Sequence, residues 1–158
     1  MKAVFANGCF WCTEAVFSSL KGVTSVMPVY SQGAEAISMD YDPAIISYDD
    51  LLSVFFNTHD PTTLNRQGND IGPQYRSAIF YINEEQKTKA GALIKELNDT
   101  HAYDKPVVTE VSQLKDFSPA EDYHREYYKN HSDQPYCKLV IAPKLDKLEK
   151  KFQRLLAH

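Results

Sequence analysis

The chain opens on Lys2-Ala3-Val4-Phe5-Ala6-Asn7-Gly8-Cys9-Phe10-Trp11-Cys12-Thr13-Glu14-Ala15-Val16-Phe17-Ser18-Ser19-Leu20, a stretch that joins a predicted strand to a predicted helix. Residues 2–6 have the composition of a short buried strand, and Gly8 follows shortly after them. Beyond this glycine, apolar side chains at positions 16, 17 and 20 have the spacing of one helical face. Cys9 is therefore expected where the strand turns into the helix, close to the helix N-terminus.

The position predicted for Cys9 favours a reactive sulfur. Free backbone N–H groups and the positive end of the helix dipole stabilise a thiolate over a thiol, and the thiolate is the nucleophile. Phe10 and Trp11, the only tryptophan of the chain, place two large aromatic side chains beside it. The pattern predicts a nucleophilic sulfur at the floor of an apolar pocket. The residues alone leave open a buried, inert cysteine, which is common for this residue type.

Cys12 forms a Cys-x-x-Cys pair with Cys9, and such a pair has two further interpretations. One is a thioredoxin-like redox pair, and the other is half of a zinc site. A structural zinc site needs about four ligands, and the chain has no second Cys-x-x-Cys. Cys137 together with His124 or His131 has irregular spacing for that purpose. We therefore expect no metal, whereas the redox pair stays open.

Length, charge and cysteine count bound the class of protein. A chain of 158 residues can bury about 70% of its unfolded surface, so we expect a single domain over residues 1–158. With a net charge of −4, the chain has no excess of positive charge to attract nucleic acid or an anionic membrane. Three cysteines, an odd number, indicate a reducing compartment. Since the sequence also shows neither an apolar run of membrane-spanning length nor a signal-peptide pattern, we expect a cytoplasmic protein.

Patterns along the chain predict an α+β fold. Strands are predicted at 2–6, 24–30, 35–41, 77–82 and 107–112. Helices are predicted at 48–57, 84–97 and 144–156, the first with Ser47 as its N-cap. The order strand, helix, strand, strand, helix, strand matches the ferredoxin-like split βαβ motif, a two-layer sandwich. Residues 58–76 form a loop long enough to be functional, and the last helix lies in a C-terminal extension.

A series of further motifs connects these elements. They are Tyr41-Asp42-Pro43, Ile46-Ser47-Tyr48, Leu51-Leu52, Phe55-Phe56, His59-Asp60-Pro61-Thr62, Asn65-Arg66-Gln67-Gly68-Asn69-Asp70-Ile71-Gly72, Gln74-Tyr75-Arg76-Ser77, Ala120-Glu121-Asp122-Tyr123-His124 and Tyr127-Tyr128. Together with Gly8-Cys9-Phe10-Trp11 and Glu14, these motifs closely resemble the A-type peptide methionine sulfoxide reductases, in family order from residue 8 to about residue 137. The resemblance implies reduction of methionine-S-sulfoxide, free or in proteins, to methionine. It also implies no bound cofactor and a dithiol co-substrate such as thioredoxin.

The resemblance gives the residues around the first cysteine their expected roles. Cys9 would attack the sulfoxide sulfur as the nucleophile. Glu35 in its acid form, with Tyr75, would donate to the sulfoxide oxygen, because a carboxyl enclosed by aromatic side chains has a raised pKa. Phe10 and Trp11 would hold the S-methyl group.

Asp70 would organise the polar groups of the pocket in the same scheme. Without the resemblance, Asp70 and Tyr75 fit turn chemistry and an ordinary half-buried tyrosine equally well, and Glu35 fits a solvated strand position. Structural or surface roles are expected for a further set of histidines and tyrosines, namely His59, His124, Tyr123, Tyr127 and Tyr128.

The chain departs from the family's pattern between Gly33 and Ala34. The family continues from a Gly-Tyr-x-Gly-Gly equivalent through Asn-Pro-x-Tyr to Gly-His-Ala-Glu, whereas here Val29-Tyr30-Ser31-Gln32-Gly33 leads directly into Ala34-Glu35. The absent segment carries a tyrosine that helps to bind the sulfoxide oxygen in the family. A true deletion, an engineered shortening and an omitted disordered loop would all give this sequence. A true deletion would remove part of one pocket wall and leave the nucleophile in place.

Turnover needs a second thiol, because release of methionine leaves Cys9 as a sulfenic acid that condenses to a disulfide. The resemblance favours Cys137 as this resolving thiol, in a mobile tail indicated by Pro135 and Asp133. The apolar residues 139–141 would instead fit a buried strand, and Cys12 is the alternative resolving thiol. Two other functions stay open: a Cys-x-x-Cys thiol–disulfide oxidoreductase, and a non-catalytic remnant that binds methionine sulfoxide.

Overall fold

The computed structural model describes residues 1–121, 124, 126–131 and 133–156. Its strands are β1 (Lys2–Asn7), β2 (Val23–Ser31), β3 (Ala34–Tyr41), β4 (Arg66–Gln67), β5 (Asp70–Ile71), β6 (Ser77–Tyr81), β7 (Glu110–Gln113) and β8 (Ser118–Pro119). Its helices are α1 (Phe10–Ser18), α2 (Tyr48–Asn57), α3 (Glu84–Asp99), α4 (Tyr127–Asn130) and α5 (Ala142–Lys151). Short 3₁₀ turns lie at Pro73–Tyr75 and Gln153–Leu155, and a π-helical turn lies at Cys137–Ile141. Every strand and helix expected from the sequence has a counterpart.

Six strands form one sheet in the order β7-β6-β1-β3-β2-β8. β1 lies antiparallel between β3 and β6, so that Val4 is opposite Ser38 on one side and Phe80 on the other. β2 pairs antiparallel with β3, and β7 joins parallel to β6 after the crossover through α3. The four central strands, with α1 and α2 as connections, have the split βαβ topology, and the α+β fold is confirmed.

Both faces of β1 are buried, which explains its continuous apolar run. Phe5 points to the helices and contacts Phe17 of α1 and Phe55 of α2, with ring centroids 5.3 and 5.2 Å apart. Val4, on the opposite face, belongs to a smaller core cluster with Phe80. Burying one such side chain stabilises the fold by roughly 1.5–3 kcal/mol, so the strand that precedes Cys9 is firmly held.

Caps fix the starts of the two long helices. The Ser47 hydroxyl accepts from the Asp50 backbone N–H, and the Asp50 carboxylate accepts from the Ser47 N–H, which completes a capping box for α2. Asn83 accepts from the Gln86 N–H at the start of α3. The last helix is shorter than predicted, because α5 ends at Lys151 and a 3₁₀ turn carries Leu155 into the core.

A two-residue turn joins β2 to β3 where the sequence departs from the family's pattern. Ser31 pairs with Ala34, while Gln32 and Gly33 have φ values of +50° and +82°. Positive φ at both central residues is typical of the type I′ hairpin turn, in which glycine is favoured. The sheet therefore closes directly across this point, and it places Glu35 one residue after the turn.

Candidate active site

Cys9 occupies the N-cap position of α1, as the sequence predicts. Its φ and ψ are −64° and 128°, and its carbonyl accepts from the backbone N–H groups of Cys12 and Thr13. The Thr13 hydroxyl donates to the Asn7 side chain, which ties the first turn of α1 to the end of β1. Gly8 has a φ of +108°, and a Cβ there would lie 2.8 Å from the Gln67 side chain, so this tight turn needs glycine.

The surroundings of the Cys9 sulfur oppose the thiolate that the helix start favours. Burial raises the pKa of Cys9 well above its usual range, since its side chain is 7% exposed, and neighbouring Cys12 raises it further. The backbone N–H of Trp11 and the Tyr136 hydroxyl both lower the pKa of Cys9. The helix start thus acts in the predicted direction, but the loss of solvent outweighs it.

All three cysteines meet in one buried cluster with Ile141, and none forms a disulfide. Cys137 lies in the π-helical turn Cys137–Ile141 and is fully buried. Its surroundings therefore match neither the mobile tail nor the buried strand considered from the sequence. Leu139, in the same turn, is 77% exposed, whereas Ile141 is buried, which is helical rather than alternating burial.

Tyr136 is the residue that the sequence analysis missed. Its hydroxyl donates to the Asp70 carboxylate at 2.9 Å and lies 3.5 Å from the Cys12 sulfur. Burial and the neighbouring thiols raise the pKa of Tyr136 strongly, so its hydroxyl keeps its proton and acts as a donor. The only hint in the sequence was that Tyr136 directly precedes Cys137. Its hydrogen-bond partner, Asp70, lies 66 residues earlier in the chain, where no local pattern connects the two.

Electrostatic contacts connect Glu35, Asp70 and Tyr75 with one another, and Glu35 and Tyr75 also with Cys9. The Phe10 backbone N–H donates to the Glu35 carboxylate at 3.4 Å. Burial raises the pKa of Glu35, and the charge of Asp70 also raises it. The pKa of Tyr75 is raised by burial and then by Glu35, Asp70 and Cys9, so these three groups all lie within electrostatic range of Tyr75.

A cavity of about 340 Å³ opens beside Cys9 and Cys12. Its other lining residues are Gln67, Gly68, Asn69, Asp70, Tyr136, Val140 and Lys144. The functional loop predicted at 58–76 therefore supplies one wall, and the C-terminal extension supplies the other. Glu35, Tyr75, Phe10 and Trp11 are not among the residues that line this cavity.

Phe10 and Trp11 are covered by residues from the C-terminal extension. Trp11 stacks on Tyr127 with ring centroids 3.7 Å apart, and its indole N–H donates to His124 at 2.9 Å. Phe10 is 2% exposed and lies 4.8 Å from the His124 ring. Tyr127 and His124 thus have structural contacts here, as expected, while Tyr123 lies outside the described residues.

His59 is a buried structural residue rather than a reactive one. Its Nδ1 donates to the Phe55 carbonyl at 2.6 Å, and its Nε2 lies 2.8 Å from the Ser77 hydroxyl. Burial lowers the pKa of His59 to about 3, so the ring is neutral at physiological pH. Within the described residues, no group of three or more His, Cys, Asp or Glu side chains is placed to hold a metal ion.

Comparison with known proteins identifies relatives along nearly the whole chain. A family model described as peptide methionine sulfoxide reductase matches residues 1–35 and 31–156. Peptide methionine sulfoxide reductase MsrA of Chromobacterium violaceum is 47% identical over 172 residues, covering 98% of each chain. The protein of the same name from Thermus thermophilus is also 47% identical, covering 98% of this chain and 96% of its own length.

Solved structures are also similar to this chain. Reduced Mxr1 from Saccharomyces cerevisiae superposes with a TM-score of 0.73 at 26% identity, covering 87% of this chain and 88% of that one. Methionine sulfoxide reductase A of Corynebacterium diphtheriae superposes with a TM-score of 0.72 at 26% identity, covering 82% and 74%.

The comparisons also locate the departure from the family's pattern. The two parts of the family match meet at residues 31–35, which is the turn between β2 and β3. The alignment with the C. violaceum protein extends over 172 residues, although this chain has 158, so the relative carries residues that this chain lacks. In the part of the chain described here, no helix has both the length and the apolar character to cross a membrane.

Proposed function

Because the chain belongs to the peptide methionine sulfoxide reductase family, we propose that Cys9 is the nucleophile with which it reduces methionine-S-sulfoxide to methionine. The observation that carries this assignment is the position of Cys9 at the start of α1, within electrostatic range of Glu35, Tyr75 and Tyr136. Attack on a sulfoxide sulfur needs a sulfur nucleophile on one side and proton donors on the oxygen side. Both are present in one place.

Glu35 and Tyr75 donate to the sulfoxide oxygen in this proposal, and Asp70 organises the polar groups around them. Burial raises the pKa of Glu35, which favours the protonated carboxyl that donates to the developing oxyanion. The proton balance closes within the site. Glu35 gives its proton to the sulfoxide oxygen while the Cys9 sulfur attacks the sulfoxide sulfur, and the proton of the Cys9 thiol passes to the Glu35 carboxylate. The protonated oxygen then moves to the Cys9 sulfur as a sulfenic acid, and the S–O bond to the substrate breaks as methionine leaves.

Phe10 and Trp11 form the apolar side of the same site. Phe10 is held between Tyr30 and His124, and Trp11 is held by Tyr127. Both rings are thus fixed in orientation next to Cys9, and they would receive the S-methyl group of the substrate once the C-terminal residues that cover them move aside.

The sulfenic acid must then be resolved by a second thiol, and we assign Cys137. Its sulfur lies in the same buried cluster as Cys9. Condensation joins the two sulfurs as a disulfide and releases the transferred oxygen as water. A low-potential dithiol such as thioredoxin reduces this disulfide and is itself oxidised, so that no bound cofactor is needed. Cys12, one helical turn from Cys9, is the competing thiol.

The setting of the reaction follows the sequence expectations. We propose a single reductase domain over residues 1–158, supported by a family match that extends to residue 156. We also propose a cytoplasmic location, where a reducing environment keeps the three thiols free.

The decisive experiment treats the reduced protein with one equivalent of methionine sulfoxide and no reductant. We expect one methionine released per enzyme and a Cys9 peptide that carries a sulfenic acid or a disulfide by mass spectrometry. Cys9→Ser should release none, because serine has no general base here to activate it. A tenth of wild-type turnover in that variant, equivalent to about 1.4 kcal/mol of barrier, would refute the assignment.

The same protein separates the two alternative functions. A thiol–disulfide oxidoreductase would reduce insulin disulfides without any sulfoxide, whereas a binding remnant would retain methionine sulfoxide and release no methionine.

A further inference from the structure

Two cavities lie side by side at the candidate active site and share the wall residues Gln67 and Lys144. One is the 340 Å³ cavity that contains Cys9. The other has a volume of about 630 Å³ and extends to Lys105 and Lys147. We call it the lysine groove. Because Lys144 and Gln67 bound both spaces, a molecule held at Cys9 can continue past Lys144 into the lysine groove.

The lysine groove carries cations that form no ion pair within the described residues. Lys105 and Lys147 are exposed and Lys144 is half-buried. In the part of the chain that the structure describes, none of the three is within ion-pair distance of a carboxylate, whereas Lys89 and Lys95 elsewhere are paired. In a chain of net charge −4, this local excess of positive charge does not follow from composition.

The acidic groups of the groove do not cancel this excess. Asp60 and Asp104 also line it, which leaves three cations facing two carboxylates. The Asp60 carboxylate accepts from the Thr62 backbone N–H at 3.0 Å and from the Thr62 hydroxyl at 2.5 Å, and the charge of Lys105 lowers its pKa. Lys144 and Lys147 are thus the cations of the groove that are available to bind an anion from outside.

Lys144 lies between the lysine groove and the cavity that contains Cys9 and Cys12. Its ammonium lowers the pKa of Cys12, which lines the cysteine cavity, and also lowers the pKa of His59, which lines the lysine groove. A carboxylate bound at Lys144 therefore lies next to the cavity where the sulfoxide reacts.

We propose that the lysine groove binds acidic side chains that flank methionine sulfoxide in a peptide, so that this protein prefers oxidised methionines in acidic segments of proteins. The inference rests on the proposed function of Cys9 and deepens it by naming a substrate class. The shared chemistry is a carboxylate, which comes from a neighbouring Asp or Glu or from the α-carboxylate of the free amino acid. A groove of 630 Å³ beyond the cysteine cavity favours the first source, because free methionine sulfoxide has no residues to place there.

The test compares matched peptides that differ only in having Glu or Gln on either side of methionine sulfoxide, with free methionine sulfoxide alongside. For wild-type protein at low salt, we expect a several-fold higher kcat/KM for the Glu peptides, carried by KM. Each exposed charge pair contributes roughly a 1.5- to 5-fold effect, and added salt should reduce it. The Lys144→Gln/Lys147→Gln double variant should bring the Glu-to-Gln ratio close to one.

Lys95→Gln provides the matched control, because Lys95 lies on α3 outside both cavities and should keep the wild-type ratio. Equal kcat/KM for Glu and Gln peptides in the wild-type protein would overturn the proposal, and so would an unchanged ratio in the double variant. Lysine substitutions that alter only the KM for the dithiol donor, or only the KM for free methionine sulfoxide, would overturn it as well. A protein that turns over none of the substrates would instead contradict the proposed function.

Discussion

Acid should destabilise this protein through His59, and the size of the effect follows from the structure. The imidazole is buried and neutral, with its Nδ1 hydrogen bonded to the Phe55 carbonyl and its Nε2 beside the Ser77 hydroxyl. Burial lowers its pKa to about 3, compared with 6.5 for a solvated histidine. Between these two values the unfolded chain binds a proton that the folded protein does not, so stability falls as the pH falls.

The expected loss is about 1.4 kcal/mol for each pH unit below 6.5. At pH 5 it reaches roughly 2 kcal/mol, and at pH 3 it approaches about 5 kcal/mol. Above pH 6.5 the histidine is neutral in both states and contributes no pH dependence. A domain with about 5–15 kcal/mol of total stability would register the loss at pH 5 clearly.

Urea unfolding between pH 7.5 and 5 measures the effect, with His59→Phe as the test variant. Phenylalanine keeps the aromatic packing against Phe55, whose ring centroid lies 4.4 Å away, but it cannot titrate. We expect the variant to be less stable at pH 7.5, since it loses two hydrogen bonds, yet to lose about 2 kcal/mol less than wild type on going to pH 5. His101→Phe, which removes an exposed histidine, should retain the wild-type pH dependence.

Parallel pH profiles for wild type and His59→Phe would refute this reasoning. Should the variant fail to fold, the His59 ring resonances of the wild-type protein give the same answer by NMR. They should not titrate between pH 8 and 5, and a midpoint near 6.5 would contradict a neutral buried ring.

Three further predictions concern the reaction. Glu35→Gln should slow sulfenic acid formation by ~10²–10³ in single-turnover experiments, because an amide cannot release a proton to the oxygen, and an unchanged rate would make Glu35 a bystander. Tyr136→Phe should slow the same step by ~10-fold or more, since Asp70 loses its donor, with equal rates counting against a role for this hydroxyl. Cys137→Ser should stop at one methionine per enzyme with thioredoxin as donor. Full turnover in that variant, with a Cys9–Cys12 disulfide by peptide mapping, would assign Cys12 as the resolving thiol.

The fold was predictable because its signals are local. The apolar run of β1, the Ser47 capping box and the Asn83 cap each lie within a few residues of the element that they define. The edge strand β8 was missed because it has two residues, one of them Pro119, and depends on pairing with β2 rather than on its own sequence. The end of the last helix was misplaced for a similar reason. Leu155 reaches the core from a 3₁₀ turn, so an apolar stripe with helical spacing does not prove a continuous helix.

The site was predictable only in part, because its chemistry depends on contacts between distant segments. The position of Cys9 follows from Gly8 and the strand before it. The raised pKa of its thiol does not, since burial of the sulfur depends on packing by segments that are remote in the sequence, including the turn that contains Cys137. The role of Tyr136 could not be predicted either, because no local pattern links it to Asp70.

The short turn between β2 and β3 and the C-terminal extension together explain how this site is closed without the segment that relatives carry. Arg76 donates to the Gln32 carbonyl at 2.7 Å, so the turn is tied to the residue that follows Tyr75. This hydrogen bond therefore holds the β2–β3 turn in place beside the residues that would donate to the sulfoxide oxygen. The opposite wall is Tyr136. Tyr136 directly precedes the π-helical turn that carries Cys137, so the donor to Asp70 and the proposed resolving thiol belong to one segment of the C-terminal extension.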